Sequence, residues 1–403
     1  MKLIQINTSV NTGSTGRIAE DIGKSAMANN FESYIAYGRV ARDTQSNLIR
    51  IGNEWDVRRH VLSTRLFDNH GFASIGATRE FVQKLELLKP DIIHLHNVHG
   101  YYLNVEILFD YLSRTRIPVV WTLHDCWPFT GHCSHFERLN CYKWMTQCYE
   151  CPNRTGYPES WWIDNSKRNY MKKRRLFTRL TNMHIAVSSQ WLVDHLKDSF
   201  LREYPVHKIF NGIDLNAFKI MDDTTIRNKY ALDNYKLILG VASTWNKRKA
   251  LDDFIRLSRL IGIDERIVLV GIDRKQSTGL PSNIIPVDRT ESIDELAAFY
   301  SASSVFVNPT YVDNFPTTNI EALACGTPVI TYNTGGSPES IDKDTGIVIE
   351  KGDLEGLYAA ITHVLKLGKP NFTIPCRKRA EKLFNKEDRY LDYIHLYQDL
   401  LNQ

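Results

Sequence analysis

NPTYVDNFPTTNIEALACGTPVITYNTGGSPE, residues 308–339, is the stretch on which the fold turns. The apolar run Ser304-Val305-Phe306-Val307 just before it reads as a buried strand. A polar loop follows, Asp313-Asn314-Phe315-Pro316-Thr317-Thr318, and Asn319 to Cys325 reads as a short helix. Gly326 stands where a C-cap glycine belongs, with Pro328 two residues later. Val329-Ile330-Thr331 is the next strand, and Asn333-Thr334-Gly335-Gly336 a second tight loop. A strand, a small-residue loop and a helix N-terminus together aim backbone N–H groups at an anion. An acid beside such a site can accept hydrogen bonds from sugar hydroxyls. Two acids are available, Asp313 and Glu321, eight positions apart.

The same rhythm extends in both directions. Strands are expected near Leu3–Ile6, Ile92–Leu95, Pro118–Thr122 and Ile185–Val187, then near Leu237–Val241, Ile267–Val270, Ser304–Val307, Val329–Thr331 and Gly346–Ile349. Amphipathic helices alternate with them, which predicts an α/β chain of two Rossmann-like domains with mainly parallel sheets facing a cleft. The expected divisions are residues 1–204, with a Cys-rich insertion at 126–155, residues 205–387, and a tyrosine-rich helix over 388–403.

The 403 residues allow two to three domains. Hydrophobic residues make up 43% and charged residues 24%, an ordinary globular balance, and a net charge of +4 does not by itself point to nucleic acid. No run of 18 apolar residues predicts a membrane span, and Met1–Asn7 reads as a strand rather than a signal peptide. The expectation is a cytoplasmic chain.

The segment from Asn308 onward, with E-A-L-A-C-G-T-P-V-I and T-G-G, resembles the nucleotide-sugar half of GT-B glycosyltransferases of family 4. The family's acid-x7-acid signature falls on Asp313 and Glu321; Asp stands at the first acid, where many members have Glu. The run Asn211-Gly212-Ile213-Asp214 resembles the family's opening of the second domain. The resemblance implies a metal-independent retaining transferase with a nucleoside diphosphate sugar as donor. It implies Glu321 on the ribose, Asp313 on the transferred sugar, and Lys249 with the loop Asn314-Phe315-Pro316-Thr317-Thr318 on the diphosphate. The family's Arg aligns with Ser243, so Arg248 or Lys247 is the expected substitute. The acceptor is expected to be a glycan or a lipid-linked oligosaccharide of bacterial surface polysaccharide assembly. The rival readings are another GT-B enzyme, such as a nucleotide-sugar epimerase or a glycogen-type synthase, and a non-catalytic sugar-nucleotide or partner-binding protein.

In the first half, Gly13 and Gly16 lie in a glycine loop after the first strand, where N–H groups can approach a phosphate or the donor sugar. His94 and His96 alternate on one strand and so share a face. His96, His124 and Asp125 sit near carboxyl ends of strands, where open α/β sheets bind ligands. The family's active-site histidine matches His124; Gly13, His96 and Asp125 are expected on the acceptor side. His94 is expected to be a core histidine.

Cys133-x7-Cys141-x6-Cys148-x2-Cys151 ends in a C-x-x-C pair, and four thiolates complete a tetrahedral structural zinc site. His132 and His135 are alternative ligands; packed free thiols and disulfides are the other readings. The insertion resembles one found in a subset of exopolysaccharide-type members. Residues 166–179 cluster cations with apolar side chains, which suggests peripheral contact with anionic lipid or with the diphosphate of a lipid-linked acceptor, against the plainer reading of a solvated helix packed on one side.

Overall fold

The apolar runs become strands of two all-parallel sheets. The computed structural model describes residues 1–402, in two units that divide after Phe210; the segment from Glu387 belongs with the first. The first sheet contains β1 (Lys2–Asn7), β2 (Glu32–Tyr37), β3 (Asn47–Arg50), β4 (Ile92–Leu95), β5 (Val119–Leu123), β6 (Met183–Val187) and β7 (Val206–Lys208). Its strands lie in the order β3-β2-β1-β4-β5-β6-β7. Every residue of β4 and β5 is buried, which is why both read as unbroken apolar runs. β2 and β3 escaped that reading because they carry polar residues at sites the fold satisfies. Ser33 Oγ, for instance, lies 2.9 Å from Ser46 Oγ in the interior.

The boundary expected after residue 204 falls one strand early. Tyr204-Pro205 looks like linker punctuation, but Pro205 O accepts the Ile185 N–H at 2.9 Å, and β7 then pairs with β6.

The second sheet holds β8 (Lys236–Val241), β9 (Glu265–Val270), β10 (Ile284–Val287), β11 (Val305–Asn308), β12 (Val329–Tyr332) and β13 (Gly346–Ile349), ordered β10-β9-β8-β11-β12-β13. Both orders reverse direction once, between β1 and β4 and between β8 and β11. Ligands of open parallel sheets bind beyond the carboxyl ends of strands at such reversals.

The helix Lys386–Leu401 returns the chain to the first unit. Tyr393, Ile394, Tyr397 and Leu400 bury against Leu3, Ile22, Phe31 and Val120. A fully buried side chain of this size contributes about 1.5–3 kcal/mol. The tyrosine hydroxyls remain satisfied: Thr122 Oγ1 donates to Tyr393 Oη at 3.2 Å, and Tyr397 Oη lies 2.6 Å from His94 Nδ1.

Candidate active site

In the second unit the loop after β8 delivers the cations. Trp245 Nε1 donates to Val270 O at 2.9 Å and anchors the turn. The Asn246 side chain then accepts the N–H groups of Arg248 at 2.9 Å and Lys249 at 3.2 Å. This short turn points Lys249 at the loop after β11, where Nζ meets Asp313 Oδ2 at 2.8 Å. Arg248 Nη1 lies 3.6 Å from the same oxygen and donates to Val312 O at 3.1 Å. Ser243 is exposed and brings no charge. Arg248 thus stands with Lys249 against the Asp313 carboxylate.

The loop is clamped from the other side by Thr334-Gly335-Gly336. Gly336 N–H donates to Asn314 O at 2.9 Å. Gly335 has φ +54°, and a Cβ there would lie 1.7 Å from Asp313 O, so only glycine fits. The helix Thr317–Ala324 starts from Pro316 with no side-chain cap, unlike the helices begun by Ser292 and Asp353. Thr318 Oγ1 is buried there without a hydrogen-bond partner. One turn on, Glu321 is buried and its Oε2 accepts from Tyr300 Oη at 2.9 Å. Burial, and then the Glu321 charge, push the Tyr300 hydroxyl well above its ordinary range. Tyr300 was not picked out from sequence. It lies on the core face of the helix Ile293–Ala302, where an aromatic residue reads as packing.

In the first unit the histidines at the ends of β4 and β5 form a relay. Gln5 Oε1 is 3.0 Å from His96 Nε2, and His96 Nδ1 is 3.1 Å from His124 Nε2. Burial, opposed by Asp125, brings His124 down to about 4, so the ring is neutral at pH 7. The relay uses His124 Nε2, so hydrogen bonding to a sugar hydroxyl requires Nδ1 or a break in the relay. Asp125 Oδ2 is 3.0 Å from His99 Nε2, and Oδ1 accepts the Trp127 N–H at 2.9 Å. Burial raises the Asp125 carboxyl, but His99, then His135 and that N–H, carry it down to about 2. His99 is a further residue that the sequence did not single out; it lies in the loop after β4. His94 Nε2 contacts Thr122 Oγ1 at 2.7 Å, the core role expected of it. Gly13 has φ +65°, and a Cβ on Gly16 would press on Ser9 O at 3.2 Å.

The Cys-rich segment gathers Cys133, Cys141, Cys148 and Cys151 around one small cavity, which His132 also lines. All four are free thiols. As the side chains stand, no three His, Cys, Asp or Glu groups among the described residues are arranged to hold a metal ion. Cys148 Sγ instead accepts the Gly131 N–H at 3.2 Å, and the Cys133 thiol hydrogen-bonds to Cys151. The Cys133 bond, against the raising effect of burial, brings the Cys151 thiol down to about 7. His132 Nδ1 is held by Asp68 Oδ1 at 2.6 Å, while its buried Nε2 has no partner. That pairing is the one that orients metal-binding histidines. Thiols with an oriented imidazole are a donor set suited to zinc.

Two family models match the chain: Glycosyltransferase Family 4 over residues 15–217 and Glycosyl transferases group 1 over residues 235–367. The first spans half of the sequence. The chain belongs to glycosyltransferase family 4. This family 4 glycosyltransferase is 22% identical to the putative colanic acid biosynthesis glycosyl transferase WcaC of Escherichia coli K12, over 99% of this chain and all of that one. Its fold is that of sucrose-phosphate synthase from Thermosynechococcus elongatus, with a TM-score of 0.72 at 18% identity, covering 100% of this chain and 99% of the other. The Anabaena protein HepE, solved with UDP-glucose, gives 0.69 at 14% identity, over 99% of this chain and 100% of the other. The two parallel sheets are thus those of a GT-B glycosyltransferase.

Proposed function

We propose that this glycosyltransferase is a retaining hexosyltransferase. In this reading it moves a sugar from a nucleoside diphosphate sugar to a glycan or lipid-linked acceptor in bacterial surface polysaccharide assembly. The observation that carries the reading is the cluster of Lys249, Asp313 and Glu321 around the uncapped helix at the β8/β11 reversal. The diphosphate takes Lys249 and Arg248, together with the amides of residues 314–318. Its arrival exchanges one anion for another on Lys249 and releases the Asp313 carboxylate to the sugar hydroxyls. Glu321, set by Tyr300, accepts from the ribose. Thr318 Oγ1, buried and unpartnered, gains a phosphate oxygen.

With retention, the acceptor oxygen bonds to the anomeric carbon on the face from which the phosphate leaves. The C–O bond to phosphate breaks, and a departing phosphate oxygen takes the acceptor proton. Fixed cations and helix-terminal amides stabilise the developing charge, so the chemistry in this reading requires no metal. In this reading the first unit is the acceptor side, with Gly13, His96 and Asp125 beyond the ends of its strands, and His124 contacts the transferred sugar. The name of the Escherichia coli relative supports the polysaccharide context.

A structural zinc is a separate part of the proposal. The four cysteines share one cavity with His132, whose Nε2 is unpartnered and whose Nδ1 is fixed by Asp68.

A thermal-shift and donor-hydrolysis panel of UDP-, GDP-, ADP- and dTDP-sugars tests the main reading. Stabilisation by one nucleotide, with slow hydrolysis that persists in EDTA, is the expected result. No response to any of them defeats it.

A further inference from the structure

We propose that Tyr101 and Tyr157 form the seat of an acidic acceptor sugar, whose hydroxyls fall to Asp125 and whose negative group falls to Arg39. The proposal rests on the reading of the first unit as the acceptor side and names the chemistry of its substrate.

The loop after β4 meets the end of the Cys-rich segment here. Tyr101 has φ +70°, a backbone region that a bulky residue rarely occupies. Strain of this kind collects at ligand sites. One face of the Tyr101 ring lies on buried His70, with centroids 4.6 Å apart and planes 23° apart. Burial, and then the neighbouring histidines, carry the His70 ring well below its ordinary range, so the backing ring is neutral. Tyr157 stands at 90° to Tyr101, with centroids 6.0 Å apart, and is 46% exposed. Its backbone is set by the Cys-rich segment: Tyr157 O accepts the Ser134 N–H at 3.4 Å, and Ser134 O accepts the Cys126 N–H at 3.0 Å.

The corner of the two rings ends on polar groups. Tyr157 Oη lies 3.4 Å from His99 Nδ1, and His99 Nε2 lies 3.0 Å from Asp125 Oδ2. A pyranose is apolar on its C–H faces and polar around its rim. Its face can lie on an aromatic ring while its rim hydroxyls donate to a carboxylate, which is an acceptor only.

Charge narrows the class further. Thr8 ties the loop of Arg39 to that of His99: Thr8 O accepts the Arg39 N–H at 3.0 Å, and Thr8 Oγ1 donates to His99 O at 2.9 Å. Burial raises both tyrosine hydroxyls, and the Arg39 charge opposes it at each. Arg39 is exposed and has no ion pair among the described residues. Elsewhere in this unit, much of the basic stretch at 166–179 is already spent: Lys172 and Arg175 pair with Glu106, and Arg179 pairs with Asp110. A carboxylate or phosphate on the sugar would engage Arg39 through charge-assisted hydrogen bonds, which a neutral sugar would forgo.

The test is saturation-transfer NMR on the full chain without donor. The probes are glucose, galactose and mannose, each as the neutral hexose, the uronic acid and the phosphate ester. At least one acidic form should bind about fivefold more tightly than its neutral parent, with saturation concentrated on the ring protons of one face. The uronic acid and phosphate arms distinguish the two sources of charge. Arg39→Gln should remove the preference and leave the neutral sugar unchanged. Tyr101→Asn, which tolerates the left-handed backbone, and Tyr157→Ser should each weaken binding about tenfold. Their melting temperatures and donor-induced stabilisation should stay at the parent values; if Tyr101→Asn does not fold, Tyr157→Ser alone decides. No sugar binding, binding without preference for charge, or tyrosine variants that bind like the parent would overturn the proposal. Donor-induced stabilisation is read separately, so a failure here leaves the donor reading standing, and a failure there leaves this one.

Discussion

Tyr300→Phe removes one oxygen that lies beneath the proposed nucleotide site, and its effect separates positioning from packing. Tyr300 is fully buried, and its hydroxyl donates to Glu321 Oε2 at 2.9 Å. A hydrogen bond to a charged group contributes about 1.5–3 kcal/mol. The backbone of Tyr300 is untouched, so Thr327 and Lys369 keep their bonds to its carbonyl. If the loss is felt as stability, a unit spanning residues 211–386 should melt roughly 3–12 °C lower. If it is felt as misorientation of Glu321, donor affinity should fall about tenfold to 100-fold, an upper bound set by the same bond. Both are measured by calorimetric melting and donor titration on Tyr300→Phe, Glu321→Gln and the double variant. Because Tyr300 acts through Glu321, its effect on donor affinity should nearly vanish in the Glu321→Gln background. An equal loss of affinity in both backgrounds would refute the argument, as would a single variant that binds donor like the parent.

Lys249→Ala should lower kcat/KM by about 100-fold or more, since it removes a fixed cation from the phosphate site; a change under threefold in steady-state kinetics would remove Lys249 from that role. Gly335→Ala should displace the Asp313 loop, because its Cβ would lie 1.7 Å from Asp313 O, and should abolish donor-induced stabilisation while leaving a folded chain by circular dichroism. Acid should destabilise the first unit through His60, whose Nε2 accepts the Gly71 N–H at 3.1 Å and which burial holds at about 3. The unfolded chain takes up that proton near pH 6.5 and the native chain does not, so stability is fully present above pH 6.5 and is lost as pH falls toward 3, by about 1.4 kcal/mol per pH unit; urea melts of His60→Gln between pH 4 and 6.5 should show a shallower decline than the parent. Elemental analysis of chain purified without chelator should give one zinc per molecule, reduced in Cys148→Ser and in His132→Ala; a metal-free, equally stable chain would refute the zinc proposal.

The local part of this site was legible and the long-range part was not. Asp313, Asn314, Thr317 and Glu321 belong to one strand, loop and helix, whose signals lie within some twenty residues of sequence. Apolar run, punctuation and C-cap glycine report that unit directly. Lys249 came from the family resemblance, and its 2.8 Å contact with Asp313 spans 64 residues. It exists because β8 lies beside β11, and hydrophobic alternation does not specify strand order. Tyr300 was hidden for a different reason. Its ring is core, and only its oxygen is functional, which periodicity cannot distinguish.

The two histidines of β4 show where reading by pattern can reach further than pattern alone. A period of two puts His94 and His96 on one face, and their ring centroids are 4.0 Å apart. They nevertheless have different surroundings, because the strand ends at Leu95. His94, inside the strand, is enclosed by Thr122 and by Tyr397 from a helix 303 residues away. His96, one residue past the end, meets His124 beyond the end of the neighbouring strand. In a parallel sheet the carboxyl end is the boundary between packing and chemistry. Had β4 run one residue further, His96 too would lie inside the strand. For this fold the most informative quantity in the sequence is therefore where each strand stops, which the turn residues after it decide more than the apolar residues within it.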